Sequence, residues 1–306
     1  MKHRIDRREF LRFAGYGGVV FASGLTGFPR LAGATGTDKA YGNDVEDFYF
    51  VQLSDTHWGF SGPAVNPDAA GTLKKAVAEV NALSHQPDFI VFTGDLTHTT
   101  DDPVERRKRL GEFRDIVAGL KVRDIHFMPG EHDASLDNAK AYREFFGETH
   151  YTFDHKGVHF IAIDNVSDPR ALIGDEQLQW LAKDLDGRDK NAPIVVLTHR
   201  PLFDLAPSWD WATRDGDQAV AQLMPFKNVT VFYGHIHQQN HHMTGHIAHH
   251  SANSLMFPLP APLSVPKKMP IPWDASAPYR GLGFREITSD TDEARLDIAE
   301  FGIKAE

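Results

Sequence analysis

Hydrophobic and polar positions alternate along the chain in two rhythms. Short, almost unbroken apolar runs at 48–54, 89–93, 125–128, 193–198 and 229–233 predict strands. Between the first two, Leu73, Ala76, Val77, Val80 and Leu83 fall at helical spacing, which predicts a helix over 72–84 ended by Pro87. Pro103 suits a first helical turn and opens a charged helix to about Leu120. Further helices are expected at 138–146, at 175–185 with Leu178, Leu181 and Leu185 on one face, and at 216–224. The run at 89–93 is apolar throughout, as in a parallel sheet covered on both faces. Strand, helix, strand is the succession of βαβ units, whose right-handed crossovers bring the strands' C-terminal ends to one edge. Open α/β sheets bind ligands at that edge. Residues 151–154 and 158–164 predict a hairpin turning at Lys156-Gly157, and 243–251, 283–287 and 295–301 are strand-like. The proline-rich stretch 258–278 is too long for a tight turn and reads as an excursion packed over one face. No repeat or second core interrupts 47–306, so a single domain is expected there, after a polar linker at 35–46.

Composition narrows the chemistry. The 306 residues, 41% hydrophobic and 24% charged, suffice for one large α/β domain. A net charge of -10 argues against nucleic acid held on a broad basic face. Bound cations would reverse that sign locally. The absence of cysteine excludes thiolate metal sites, cysteine nucleophiles and disulfides. Any metal must be held by histidine and oxygen, and the chain has 17 histidines.

Residues 1–34 read as an export signal. Arg7-Arg8-Glu9-Phe10-Leu11-Arg12 resembles the twin-arginine signal, a glycine-diluted apolar stretch follows at 13–28, and Ala32-Gly33-Ala34 offers a small-residue cleavage site. The stretch is short of the ~20 apolar residues that a span requires. The resemblance implies passage through the twin-arginine export machinery, a periplasmic or secreted location, and no stable membrane span after cleavage.

Five of the apolar runs are followed directly by carboxylates or imidazoles: Asp55-Thr56-His57, Gly94-Asp95, Gly130-Glu131-His132-Asp133, Thr198-His199 and Gly234-His235-Ile236-His237. In the last, a strand fraying into a loop places residues i and i+2 on one side, so both imidazoles can point at one spot. Imidazole with carboxylate suits hard or borderline cations and phosphate oxygens.

In order and spacing these motifs resemble the calcineurin-like metallophosphoesterases over about residues 50 to 240. The resemblance implies an α/β fold, a four-layer αββα sandwich of two mixed β-sheets flanked by helices, with two metal ions (Fe, Mn or Zn) at the strand ends. It implies that Asp55, His57 and His237 hold the first metal, that Asp95 bridges, and that Glu131, His199 and His235 hold the second. It implies a metal-bridging hydroxide as nucleophile, His132 as general acid or donor to the substrate, and Asp133 as the group orienting His132. The family has asparagine at the position of Glu131. Glu131 either binds the second metal and adds negative charge, which favours a more highly charged pair such as one with ferric iron, or swings away.

His98, three residues after Asp95, is an extra ligand, a partner orienting a ligand, or a loop histidine. Arg200 is a candidate phosphate clamp and Trp209 a candidate wall of the substrate cleft. Thr244-Gly245 reads as a hairpin turn, which would put His241, His242, His246, His249 and His250 on a polar strand face rather than in a metal tract. The Gly-His-Ile-His-Gln ending most resembles the cyclic-nucleotide phosphodiesterase branch, so a small-molecule phosphodiester is the first substrate class expected. The alternatives are an exported phosphomonoesterase that scavenges phosphate and a non-hydrolytic metal-binding protein of the same fold.

Overall fold

The computed structural model describes residues 20–24, 47–62, 65, 67, 69–290 and 295–304. The export motif, the cleavage site and the whole of the linker lie outside the described residues. Within the expected signal, Val20–Gly24 (β1) pairs antiparallel with Arg295–Gly302 (β12).

Two six-stranded mixed sheets make up the domain. In the first, the order is β1, β12, Gly283–Asp290 (β11), Tyr49–Leu53 (β2), Phe89–Thr93 (β3) and Ile125–Met128 (β4), with β2, β3 and β4 parallel. In the second it is Tyr151–His155 (β5), Val158–Ala162 (β6), Pro193–Leu197 (β7), Asn228–Tyr233 (β8), Ile247–Ser251 (β10) and Asn240–Thr244 (β9), with β6, β7, β8 and β10 parallel.

Strand alternation explains why these runs are apolar on both faces. Tyr49, Val51 and Leu53 turn outward and join Ile90, Phe92 and the helices Ala69–Asn81 (α1) and Pro103–Val117 (α2) in one core. Phe48, Phe50, Phe89 and Val91 turn the other way, onto Val158, Phe160, Val195, Leu197 and Phe232 of the facing sheet. Beyond that sheet, Ile161, Ile194, Val196, Val229 and Val231 pack on Leu178, Leu181 and Leu185 of Asp175–Leu185 (α5) and on Ala219, Val220 and Leu223 of Gly216–Leu223 (α6). The order helix, sheet, sheet, helix is the expected four-layer sandwich. Each buried Leu, Phe or Ile in these layers contributes on the order of 1.5–3 kcal/mol.

Two expectations about local structure need correction. Residues 130–134 hold a short helix, Glu131–Ala134 (α3), started by the Asp133 carboxylate, which accepts from the Gly130 N–H at 2.9 Å. A shorter helix than expected, Lys140–Phe146 (α4), follows. The histidine hairpin does turn at Gly245, with φ 61°, but β10 is an interior strand, paired on one edge with β8 and on the other with β9, and every one of its residues is buried. His249 and His250 are therefore buried, not on a polar face, and the ring nitrogens of His249 have no hydrogen-bond partner among the described residues.

Candidate metal centre

The five motifs converge where the parallel strands of both sheets end. Asp55 and His57 follow β2, Asp95 follows β3, Glu131 opens α3 after β4, His199 follows β7, and His235 and His237 follow β8. The chain must turn sharply off each strand, and Asp55, His57, Asp95, His235 and His237 all do so with positive φ, 40–66°. Left-handed backbone costs non-glycine residues on the order of 1–3 kcal/mol each and persists where surrounding structure enforces it. Here the enforcing contacts are backbone bonds across the loops, such as Asp55 N–H to Gly94 C=O at 3.0 Å and His57 N–H to Asp95 C=O at 2.9 Å. The glycines of the motifs answer to crowding. A Cβ at Gly234 would overlap Ser54 Oγ and Asp55 Oδ2, and one at Gly130 would overlap the Asp95 carboxylate.

Two groups of candidate ligands result, with Asp95 in both. The first is Asp55, His57, Asp95 and His237; the second is Asp95, Glu131, His199 and His235. His57 Nε2 and His237 Nε2 face each other at 3.0 Å, too close for both to carry protons. His237 Nε2 is 3.3 Å from Asp55 Oδ1 and His57 Nε2 is 3.5 Å from Asp95 Oδ2. In the second group, His235 Nδ1 lies 2.8 Å from Glu131 Oε1. His199 Nε2 lies 2.9 Å from Glu131 Oε2 and 3.3 Å from Asp95 Oδ2. That buried nitrogen is aligned for a hydrogen bond with neither carboxylate, as expected of an atom oriented for a cation between them. Oxygen and imidazole donors with no thiolate fit borderline or hard divalent and trivalent ions, so the residues suit the metals that the motifs imply.

The outer nitrogens are fixed by carbonyls, which orient each ring. His199 Nδ1 meets Thr93 C=O at 2.7 Å, His237 Nδ1 meets Phe257 C=O at 2.7 Å, and His235 Nε2 meets Asp210 C=O at 3.0 Å. The outer nitrogen of His57 instead faces His98 Nδ1 at 3.3 Å. His98 thus stands behind a candidate ligand rather than in either four-residue group, and with His57 and His132 it forms a third, histidine-only group. Burial, with the neighbouring His132, pushes His98 down to about 4.

Opposing charges set the electrostatics. Burial and the neighbouring Glu131 push the Asp95 carboxyl up, but His199, His132 and His57 prevail and hold it below the usual carboxylate range. Burial likewise opposes ionisation of Glu131, and His235 and His199 hold its carboxyl well below the usual range. Glu131 is therefore turned inward and charged between the two imidazoles.

Other candidates have different roles from those expected. Asp133 does not orient His132. Its carboxylate accepts from the N–H groups of Leu96, Thr97 and Gly130 and from the Thr97 hydroxyl, at 2.8–2.9 Å, so it ties the Asp95 loop to α3. Burial and the Asp95 charge raise it to about 7 against those bonds. His132 is positioned by Thr99, whose N–H donates to Nδ1 at 3.2 Å. The neutral ring then carries its proton on Nε2, 4.0 Å from Asp95 Oδ2 and facing the site. Thr99 was invisible as a motif; its only signal is that it lies four residues from Asp95. Arg200 is not a free clamp, because its guanidinium is buried on Ala212 C=O and on Asp210, whose carboxylate lies 2.7 Å away. Trp209 does not wall the cleft: it is buried edge-on against Trp211, ring centroids 5.0 Å apart, beside Tyr233 and Ile236. Phe257 is an aromatic group at the site, 5.3 Å from the His57 ring and 4.5 Å from that of His237. It also borders a largely apolar cleft of about 320 Å³ built with Val65, Met256, Ile271, Trp273 and Leu282. Among the described residues no helix is long and apolar enough to cross a membrane.

Comparison with known proteins agrees with this geometry. The family model for calcineurin-like phosphoesterases matches residues 48–239. A probable glycerophosphodiester phosphodiesterase of Arcobacter nitrofigilis is 28% identical over 161 residues, 50% of this chain and 57% of that protein. A serine/threonine-protein phosphatase of Mus musculus is 27% identical over 220 residues, 62% of this chain and 70% of that one. A probable cyclic nucleotide phosphodiesterase of Rhodopseudomonas palustris is 26% identical over 51% of this chain and 58% of its own. In fold, the chain resembles a purple acid phosphatase of yellow lupin (TM-score 0.60, 14% identity, 84% of this chain and 51% of that one). It also resembles a dimetal phosphatase of Danio rerio (TM-score 0.55, 14% identity, 85% and 99%). With the family motifs at the strand ends and the family model matching residues 48–239, the chain belongs to the calcineurin-like phosphoesterases, and it spans 57% of the length of the Arcobacter relative and 51% of the lupin phosphatase.

Proposed function

We propose that the protein is a binuclear phosphodiesterase acting on small-molecule diesters, exported by its twin-arginine-type signal. The observation that carries the binuclear reading is the place of Asp95 in both groups of ligands. Asp55, His57 and His237 would hold one ion, Glu131, His199 and His235 the other, and Asp95 both. When bound, the pair supplies positive charge to the phosphoryl oxygens and acidifies the attacking water. The chain's own contribution is placement. The carbonyl-anchored imidazoles and the left-handed ligand backbone hold the donors in position before substrate arrives. His132, with Nδ1 accepting from Thr99, presents Nε2–H to the leaving oxygen as a donor.

Glu131 supports the diester preference. A carboxylate in place of a neutral amide lowers the positive charge of the loaded site, which weakens a dianionic monoester more than a monoanionic diester. Turnover of bis(p-nitrophenyl) phosphate and p-nitrophenyl phosphate by one metal-analysed preparation tests this reading. Faster diester turnover with about two metal equivalents per chain supports it; a strong monoester preference reverses the substrate order, and bound metal without turnover favours the non-hydrolytic alternative. Export is tested by replacing Arg7 and Arg8 with lysine and following the protein's compartment.

A further inference from the structure

The proline-rich excursion carries an apolar row that its own packing leaves uncovered. Among the described residues eight large hydrophobic side chains are exposed, and five of them, Leu263, Val265, Met269, Ile271 and Trp273, fall on this one stretch at 39–63% exposure. Scattered singly, such residues need no explanation; gathered on one segment, they mark a surface that meets an apolar group. The segment also closes back on its own start, where the Ile271 N–H donates to Pro258 C=O at 3.0 Å. Ile271 and Trp273 thereby line, with Met256 and Phe257, the cleft of about 320 Å³. That volume falls in the range of small-molecule sites, about 300–1,000 Å³. Charged groups at the cleft are few: Asp274 and Arg280 line it and are paired with each other at 2.7 Å.

Aromatic rings join the cleft to the candidate metal centre. Phe257 lines the cleft, its ring lies 5.3 Å from that of His57 and 4.5 Å from that of His237, and its carbonyl accepts from His237 Nδ1. Phe60 packs on the same apolar cluster of Val65, Met256 and Phe257 and stands edge-on to His98, ring centroids 4.3 Å apart. Beside His237, the Gln238 side chain donates to the carbonyls of Leu259 and Pro260 at 3.4 and 2.9 Å, which fixes the start of the excursion against the site. Site and cleft therefore share a wall.

A phosphodiester has two ester groups, and hydrolysis expels only one. The group that stays needs a place outside the ligand set, which is built of carboxylates and imidazoles. We propose that the cleft, with the exposed row of the excursion at its side, is a subsite for an apolar ester group of the diester, aryl or alkyl. Phe257 is the wall shared with the metal centre, and Ile271 and Trp273 are the contacts that the excursion contributes. The substrate class so assigned, a diester with at least one apolar arm, rests on the phosphodiesterase reading of the adjoining site. Binding energy gained on such an arm, away from the reacting atoms, serves orientation at the phosphorus.

The test compares metal-loaded wild type with the double variant Ile271→Ala/Trp273→Ala, with metal content measured for each. Both side chains are exposed, so the substitutions leave the core intact. Methylphosphonate and phenylphosphonate, which have no ester bond to hydrolyse, are titrated calorimetrically. Methyl and phenyl p-nitrophenyl phosphate, which share a leaving group, are compared in kcat/KM. Phenyl should exceed methyl about tenfold in wild type in both measurements, and the variant should bring both ratios to within about twofold of unity. A wild-type phosphonate ratio within about twofold of unity would overturn the assignment, as would a tenfold ratio that survives in the variant. A flat ratio with self-association over a concentration series would give the apolar row to a second copy of the chain instead. Loss of metal from the variant would also overturn it, by placing the excursion in metal retention. If wild type hydrolyses neither diester while the phosphonate preference holds and falls in the variant, the phosphodiesterase reading fails and the apolar subsite stands. If it hydrolyses both alike with no phosphonate preference, the subsite fails and the phosphodiesterase reading stands.

Discussion

The backbone N–H of Thr99 donates to Nδ1 of His132, and the Thr99 hydroxyl faces the same nitrogen. This contact determines which edge of the imidazole faces Asp95. His132→Ala should lower kcat about 10²- to 10⁴-fold with metal content unchanged. Thr99→Val keeps the N–H and removes the hydroxyl, and should cost about tenfold or less. Steady-state kinetics beside elemental analysis reads both; an unchanged kcat in His132→Ala would remove the donor role.

Chelation should abolish turnover, and adding back Fe, Mn or Zn should restore it. Glu131→Ala should bring metal content from about two equivalents toward one, because His199 and His235 would lose the carboxylate between them. Full occupancy in that variant would show that Glu131 is dispensable for metal binding.

Asp133→Asn keeps the shape but places an amide N–H against backbone donors that now meet carboxylate oxygens. A loss of about 1–3 kcal/mol of stability is expected. Urea denaturation measures it, and unchanged kinetic constants in the fraction that folds would confirm that Asp133 acts only through the loop.

Gly234→Ala drives a methyl into Ser54 and the Asp55 carboxylate. Overpacking of this kind costs about 1–3 kcal/mol, and the displaced ligand should weaken metal binding as well. Thermal unfolding with and without added metal separates the two effects.

The buried hairpin histidines predict acid lability remote from the site. Burial lowers His249 to about 3 from an ordinary 6.5, and His250 is lowered further by burial and Arg285. Below pH 6.5 the unfolded chain takes up protons that these folded imidazoles refuse, so stability is full above that value and falls as pH drops toward their folded values. Each should contribute a loss of about 2 kcal/mol between pH 6.5 and 5. His249→Phe should flatten the dependence in denaturant titrations at stepped pH; an unchanged slope would refute the assignment.

The strands and their ligand-bearing ends were legible in the sequence because strand ends and chemistry coincide: an apolar run followed by Asp or His marks both. Thr99 was not legible, since its contact with His132 depends on how the loop after Asp95 packs. Arg200 and Trp209 misled for the opposite reason. Arg200 directly follows His199 and Trp209 lies in the loop beyond it, but that loop folds back on itself after β7, and both side chains are consumed in closing it. The histidine hairpin looked polar by composition and is interior by topology, which only the pairing of β10 with β8 reveals.

Neither sheet owns either group of ligands. Asp55, His57, Asp95 and Glu131 follow strands of the first sheet, and His199, His235 and His237 follow strands of the second. A nascent chain that has emerged only as far as residue 190 therefore carries the carboxylates of the two four-residue groups with one of their four imidazoles, His57. Neither four-residue group is complete until β7 and β8 have been synthesised and docked on the first sheet, so full loading would report that the two halves have come together in register.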